Sequence, residues 1–386
     1  MRIVYCLPEM SHPGGIGRVT AIKANYLVEH NYEVHIVTSN QFDSPMYYRL
    51  NPKIKHIDMG IGFQAGGDNG NLIKKYIRRR CKMRLYRKKL EAFLYNVKAD
   101  IVVSTFNNDS DFLYKLEDGS RKVLEYHFSH DGYKSQIKNT GNSFSHKLFL
   151  ILRLLKQERV ARKYDAFVVL THEDAKAWKG YKNLHVIPNM LSFEPQNLSS
   201  CESKRVIAVG RLDSQKSFNR LLDIWYDVHK ECPEWKLIIF GTGVDELILQ
   251  TQIKNLKLSN VVSISKPTKK IEKEYLKSSV LCMTSTYEGW GLVLTEAMSC
   301  GVPCVAYACK CGPRDIIENG VNGFCINEGN KTDFVRKLVQ LMKDDSLRKS
   351  FSKGAKYKSN QYKKDIIMPI WQSLFEMLLS DSVDKN

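Results

Sequence analysis

Glu288 and Glu296 stand eight residues apart in the run Ser285-Thr286-Tyr287-Glu288-Gly289-Trp290-Gly291-Leu292-Val293-Leu294-Thr295-Glu296-Ala297-Met298. The apolar Leu281-Cys282-Met283 before it reads as the end of a buried strand, and Leu292, Val293, Glu296 and Ala297 follow with helical spacing. Strand, polar loop and helix in that order belong at the carboxyl edge of a parallel sheet. The first amides of such a helix, around Gly291 to Val293, have no intrahelical acceptor and carry partial positive charge, so a phosphate there gains hydrogen bonds and a favourable dipole. Gly289 and Gly291 let the backbone approach it closely. The two carboxylates, one before the helix and one about a turn inside it, are acceptors suited to sugar hydroxyls on either side of the phosphate. The chemistry offered is the binding of a nucleotide-linked sugar. A surface loop with an ordinary helix-start glutamate fits the two acids alone equally well, because acidic residues favour first turns in any case.

Further candidates fall at strand ends. Gly210-Arg211 follows an apolar strand pattern, and Lys216 comes five residues after Arg211. A planar fork and a mobile point charge together suit a diphosphate leaving group, whose terminal phosphate gains charge as the sugar–phosphate bond breaks. Two surface cations in a lysine-rich chain satisfy the same letters. His127 closes the pattern Leu124-Glu125-Tyr126-His127, where an imidazole could donate to a sugar hydroxyl or assist proton movement near neutral pH; a purely structural histidine is the alternative. Gly14-Gly15-Ile16-Gly17 opens a helix and can approach a phosphate. It is not a dinucleotide fingerprint: Thr20 occupies the place of the third glycine, and the strand Val34 to Thr38 ends without a ribose-binding acid.

These residues need two alternating frameworks to carry them. The first half predicts strands at Arg2 to Cys6, Val34 to Thr38, Ile54 to Asp58, Ile101 to Ser104, Lys122 to Tyr126, Ala166 to Leu170 and His185 to Ile187, with helices at Gly17 to His30, from Leu72, and at His146 to Arg162. Alternation restarts at Arg205 to Val209 and continues through Leu237 to Phe240, Val261 to Ile264, Ser279 to Met283 and Val305 to Tyr307. Its helices are predicted at Asn219 to Lys230, Asp245 to Lys254, Leu292 to Ser299 and Lys331 to Lys343. The expected organisation is an α/β domain over residues 1–192, a polar linker over 193–203, a second α/β domain over 204–362 and an amphipathic terminal helix over 363–386. Two Rossmann-like sheets with facing carboxyl edges would hold a ligand between them.

The segments as a set resemble the retaining GT-B glycosyltransferases of glycosyltransferase family 4, whose E-x7-E signature takes the form E-G-(F/W)-G-L-x-x-x-E-A-M. The resemblance runs through nearly the whole chain, by way of Met1-Arg2-Ile3-Val4, Gly14-Gly15-Ile16-Gly17-Arg18, Val186-Ile187-Pro188-Asn189, Val209-Gly210-Arg211-Leu212 and Gly312-Pro313-Arg314-Asp315 to Gly323. Within the family it is similar to the exopolysaccharide-type, amylovoran-biosynthesis members. The resemblance implies a GT-B fold with the terminal helix crossing back to the first domain. It also implies transfer of a hexosyl group, without a metal or other cofactor, from a nucleotide-diphosphate sugar to a glycan or polyprenyl-linked saccharide in surface polysaccharide or lipopolysaccharide synthesis. A UDP-sugar is expected ahead of a GDP-sugar. It implies Glu288 at the donor sugar and Glu296 at the ribose, with Arg211 and Lys216 at the diphosphate. Gly15, Gly289, Trp290, Gly291, Leu292 and Val293 would border the donor, and His127 would act from the first domain. Gly243 matches a family glycine turn and Lys266 lies near the base, although tight turns explain both segments as well. Asp315 stands where family variants often carry Glu, which leaves its role open.

Composition bounds the rest. The chain has 386 residues and a net charge of +18, of which +13 falls in residues 1–190 and +5 in residues 191–386. Ten of the sixteen residues from Lys74 to Lys89 are basic, with Ile73, Tyr76, Ile77 and Leu85 as an apolar stripe, and a second basic, apolar pattern runs from His146 to Lys163. Such helices suit an anionic membrane surface, a solvated helix face or nucleic-acid phosphates. No RNA-module or zinc-finger pattern accompanies the charge, so nucleic acid is not expected. The ten cysteines lack paired metal spacing and read as reduced structural thiols. Asp109-Ser110-Asp111 has the letters of an acidic metal motif but falls in the first domain. Without an apolar run of membrane-spanning length, the expected location is the cytoplasm, peripherally on the inner face of the cell membrane. A non-catalytic nucleotide-sugar or glycan-binding scaffold of the same fold is the rival reading.

Overall fold

A computed structural model describes residues 1–63, 72–132, 134 and 144–383. Their strands form two wholly parallel sheets, one of seven strands in the order β3-β2-β1-β4-β5-β6-β7 and one of six in the order β10-β9-β8-β11-β12-β13. The first comprises β1 (Arg2–Leu7), β2 (Glu33–Thr38), β3 (Lys55–Asp58), β4 (Ile101–Ser104), β5 (Arg121–Tyr126), β6 (Ala166–Val169) and β7 (Leu184–Val186). The second comprises β8 (Arg205–Val209), β9 (Lys236–Phe240), β10 (Val262–Ser265), β11 (Val280–Met283), β12 (Cys304–Tyr307) and β13 (Gly323–Ile326). In both, the order reverses beside the first strand, so the loops after β1 and β4, and after β8 and β11, diverge to leave room for ligands at the carboxyl edges.

The central strands β1, β4, β6, β8, β11 and β12 are largely apolar runs because both faces are covered. Ile3, Tyr5 and Leu7 of β1 enter one core and Val4 and Cys6 enter the other; in β8, Val206 and Ala208 face one way and Ile207 the other. The first lobe carries helices α1 (Gly15–Glu29), α2 (Leu72–Val97), α3 (Phe144–Ala161) and the single turn α4 (His172–Ala175). The second carries α5 (Phe218–Glu231), α6 (Glu246–Asn255), α7 (Ile271–Leu276), α8 (Leu292–Ser299), the turn α9 (Pro313–Ile316), α10 (Lys331–Lys343) and α11 (Asp345–Ser359).

The last helix, α12 (Lys364–Val383), returns to the first lobe, where Ile367, Met368, Trp371, Leu374, Phe375 and Leu378 join the core behind β1 and α1. The chain thus passes between lobes twice, and the two passages are joined where Leu191 N–H donates to the Tyr362 carbonyl at 2.7 Å. The polar stretch expected to be a linker is not a free tether. Ser199 donates through its hydroxyl to the Ser278 carbonyl at 2.7 Å and through its amide to the Cys300 carbonyl at 2.8 Å, which seats the segment along the second lobe.

The apolar stripe expected on α2 is not the one that packs. Tyr86, Leu90 and Leu94 face the core, while Tyr76, Ile77 and Leu85 are exposed among the basic residues. Tyr86, Leu90 and Leu94 recur at four-residue spacing and line one face; Ile77 and Leu85 fall outside it, whereas Tyr76 lies on that face but in the first turns of the helix, where it is exposed.

Candidate active site

The Glu288 loop leaves β11 at its carboxyl end and enters α8 through Gly291, whose φ of +95° lies in the left-handed region that favours glycine. Glu288 is 6% exposed. Its Oε1 accepts from Ser285 Oγ at 2.6 Å and from Lys216 Nζ at 2.5 Å. Lys216 comes from the turn after β8, which is tied to the same loop by Thr286 N–H donating to the Gln215 carbonyl at 2.8 Å and Gln215 Nε2 donating to the Tyr287 carbonyl at 3.0 Å. On the other side, Glu288 N–H donates to the Lys310 carbonyl and Cys311 N–H to the Glu288 carbonyl, each at 2.8 Å. The Thr286 and Glu288 amides and the Tyr287 and Glu288 carbonyls are therefore committed, and the carboxylate sits beside a cation.

This loop meets the first lobe directly. A Cβ built on Gly289 would stand 2.0 Å from the His127 carbonyl oxygen, so only glycine permits the two backbones to touch. His127 follows β5, with its side chain 4% exposed and Nε2 3.5 Å from Glu125 Oε1. Glu125 in turn pairs with Lys23 of α1, and both are buried. Burial alone would raise the Glu125 pKa, but Lys23 and His127 outweigh it and hold the carboxyl down to about 2. Lys23 lies 4.1 Å over the ring of Trp371 on α12 and 5.3 Å over that of Tyr5 on β1, so the cation is covered by aromatic faces from both.

Glu296, 2% exposed, faces the starts of α1 and α8. It is paired across the lobes with Arg18, and it also accepts from Ser192 Oγ at 2.6 Å and Tyr275 Oη at 3.0 Å. Burial would lower the Arg18 pKa, yet Glu296 and Tyr48 more than reverse this and keep the guanidinium charged. Gly15, the first residue of α1, faces Leu292 of α8: its added Cβ would lie 3.2 Å from Leu292 Cδ1. Two helix N-termini thus converge on the space between lobes.

The remaining expected residues divide. Gly243 allows a turn after β9 to close on the turn after β8, since its Cβ would fall 2.3 Å from the Leu212 carbonyl oxygen. Arg211 is 70% exposed and is held by Asp213 at 3.1 Å and Gln215 at 2.9 Å, beside Lys216 but reaching outward. Lys266 is exposed beyond the end of β10, on the sheet edge farthest from β13. Trp290 does not offer its indole to the cleft. The ring is buried against Tyr362 at 5.1 Å in the second lobe, so only its backbone borders the Glu288 loop. Asp109 sits in a turn after β4 in the first lobe, where burial pushes its carboxyl up to about 6. Among the described residues no group of three or more His, Cys, Asp and Glu side chains is arranged to hold a metal.

Residues 13–194 match the family model described as Glycosyltransferase Family 4, and residues 192–358 match that of Glycosyl transferases group 1. The amylovoran biosynthesis glycosyltransferase AmsD of Erwinia amylovora is 30% identical over 395 residues, covering 97% of this chain and 99% of that one. The chain belongs to glycosyltransferase family 4. A lipopolysaccharide 1,6-galactosyltransferase of Salmonella typhimurium is 34% identical over 35% of this chain and 38% of its own. The structure of a TarM variant from S. aureus, in complex with fondaparinux, α-GlcNAc-glycerol and UDP, superposes with a TM-score of 0.77 at 17% identity, covering 97% of this chain and 99% of that one. That likeness gives the GT-B fold.

Several contacts in this family 4 chain carry no local signature. Arg18, Ser192 and Tyr275 surround Glu296 from sequence distances of up to 278 residues. Lys23 and Glu125 looked like helix and strand residues and form a buried pair instead. Asp315 accepts from His172 N–H at 3.0 Å, and Arg314 pairs with Glu173 at 2.8 Å, so this motif clamps the second lobe to α4 of the first. The one available signal was Glu125 itself, a charged letter between Val123-Leu124 and Tyr126 near the end of β5, which demands a buried partner. Among the described residues no helix is long and apolar enough to cross a membrane.

Proposed function

We propose that this glycosyltransferase moves a hexosyl group from a UDP-sugar, with retention and without a metal, to a glycan or lipid-linked saccharide in surface polysaccharide or lipopolysaccharide synthesis. The observation that carries the reading is the contact of Gly289 with the His127 carbonyl, which brings the Glu288–Lys216 pair of one lobe against the His127 strand end of the other. The amylovoran and lipopolysaccharide enzymes among its relatives support the product class, and the UDP in the TarM complex supports the donor.

In this mechanism the diphosphate lies between the starts of α1 and α8, with Gly15, Gly291, Leu292 and Val293 supplying close backbone and amides. Lys216, aided by Arg211, takes up the negative charge that grows on the terminal phosphate as the anomeric C–O bond breaks. Glu288 accepts from hydroxyls of the sugar, and His127 donates to it from the opposite lobe. Glu296 exchanges Arg18 and Ser192 for the ribose hydroxyls. The acceptor oxygen attacks from the face the phosphate is leaving, and its proton passes to that phosphate, so configuration is kept. The base stacks near Gly243 and Lys266. The exposed basic and apolar residues of α2 and α3 rest on the anionic inner face of the cell membrane, each basic side chain near the surface contributing about 1 kcal/mol.

Glu288→Gln tests the site. Transfer from a panel of UDP- and GDP-sugars should fall by about two orders of magnitude or more, a loss in the range found when one strong transition-state contact is removed, while the melting temperature stays near that of the parent. Undiminished turnover would refute the assignment.

A further inference from the structure

A cavity of about 620 Å³ opens in the first lobe between α2, α3 and the loop that follows β4. Its size is that of a small-molecule site. Among the described residues, Arg79 of α2, Arg153 and Lys156 of α3, and the acid Asp111 line it. Arg79 donates to Asn108 Oδ1 at 3.0 Å and Lys156 pairs with Asp111, so both cations are directed toward the loop that floors the cavity. Gln157 also lines it, and its Oε1 is buried without a hydrogen-bond partner among the described residues. Phe149 and Leu152, 60% and 57% exposed, complete the wall and continue into the outward-facing Leu148, Ile151 and Leu155 of α3. The floor reaches the candidate active site: Phe106, at the cavity, packs edge-on against Tyr126 at 5.1 Å, and Tyr126 immediately precedes His127. β4 and β5 are adjacent, so cavity and histidine share one carboxyl edge.

We propose that this cavity binds the phosphate end of an isoprenoid-linked acceptor. The inference rests on the glycosyl-transfer reading and adds the acceptor's anchoring chemistry. Arg79 and Lys156, both turned to the loop that floors the cavity, suit an anionic group, and a diphosphate takes the place of Asp111 at Lys156. The Gln157 carbonyl accepts from a hydroxyl of the attached saccharide. The hydrocarbon leaves between Phe149 and Leu152, covering side chains that a free sugar phosphate would leave in water. An acceptor so held extends its sugar along the sheet edge toward His127.

The test is binding of farnesyl diphosphate to the full chain by calorimetry, beside farnesol, inorganic diphosphate and phosphatidylglycerol vesicles, with UDP-induced thermal stabilisation measured on every variant. Farnesyl diphosphate should bind saturably and at least tenfold more tightly than farnesol or inorganic diphosphate. The double variant Arg79→Gln/Lys156→Gln should weaken it about tenfold and Leu152→Ser several-fold, with UDP stabilisation unchanged. Equal binding by the parent and both variants overturns the proposal. So does inorganic diphosphate binding as tightly as the farnesyl compound, which would mark a simple anion site, or binding confined to the vesicles. If UDP fails to stabilise the parent while farnesyl diphosphate binds as described, the donor assignment falls and the cavity assignment stands.

Discussion

Lys23→Met would leave Glu125 buried without its cation, and the cost follows from the geometry. Both side chains are inaccessible, and Glu125 is held near 2 against an ordinary value of 4.5. That depression is a stabilising contribution, offset in part because burial lowers the Lys23 pKa despite its pairing with Glu125. Its sign is that of a depressed carboxyl: the contribution is fully present above about pH 4.5 and is lost as pH falls toward 2. Removing one partner of a buried ion pair costs about 3–5 kcal/mol, because the other charge is left uncompensated. For a lobe of this size the melting temperature should fall by roughly 6–20 °C at pH 7. Circular-dichroism melts would measure it, resolving the two lobes where their transitions separate. Adding Glu125→Gln removes the stranded charge, so the double variant should regain much of the loss. Glu125→Gln alone should reduce transfer about tenfold, less than the hundredfold or more of losing an acid–base group outright, because His127 is released but not removed. The reasoning is refuted if Lys23→Met costs under about 1 kcal/mol, or if the double variant loses the sum of the two single losses.

Three other outcomes follow. Lys216→Ala should lower kcat by about a hundredfold or more, with donor KM changed far less, because its charge matters most as the leaving phosphate develops; steady-state kinetics at saturating acceptor reads this. Gly289→Ala places a Cβ where only 2.0 Å separates it from the His127 carbonyl oxygen, so small-angle scattering should show a more open particle and transfer should fall, while each lobe melts near its parent temperature. Excess EDTA should leave the initial rate within about twofold if the cations and helix starts, rather than a metal, balance the diphosphate.

The sheets were legible because a strand buried on both faces leaves an uninterrupted apolar run, as in Arg2–Leu7 and Val280–Met283. β13 was not, since Gly323-Phe324-Cys325-Ile326 is short and begins with a glycine that serves close packing: its Cβ would lie 2.2 Å from the Cys304 carbonyl oxygen. α11 was missed for the opposite reason, its sequence Asp345–Ser359 being mostly polar and apolar on one narrow face. The loop around Glu288 could be read locally, because its strand, glycines and helix are contiguous. Arg18 at Glu296 and Lys23 at Glu125 could not, because each pair is made by folding and leaves no spacing to count. On α2 the basic letters concealed which apolar residues faced inward.

The hydrogen bond from Leu191 to Tyr362 has a mechanical consequence. Two separate tethers would let one lobe twist and slide over the other, whereas tethers knotted at a point leave chiefly a swing about that point. Tyr362 also bears on Trp290, two residues from Glu288. Any such swing is therefore geared to the loop that grips the sugar, and a small rotation at the knot becomes a displacement where the bond is broken.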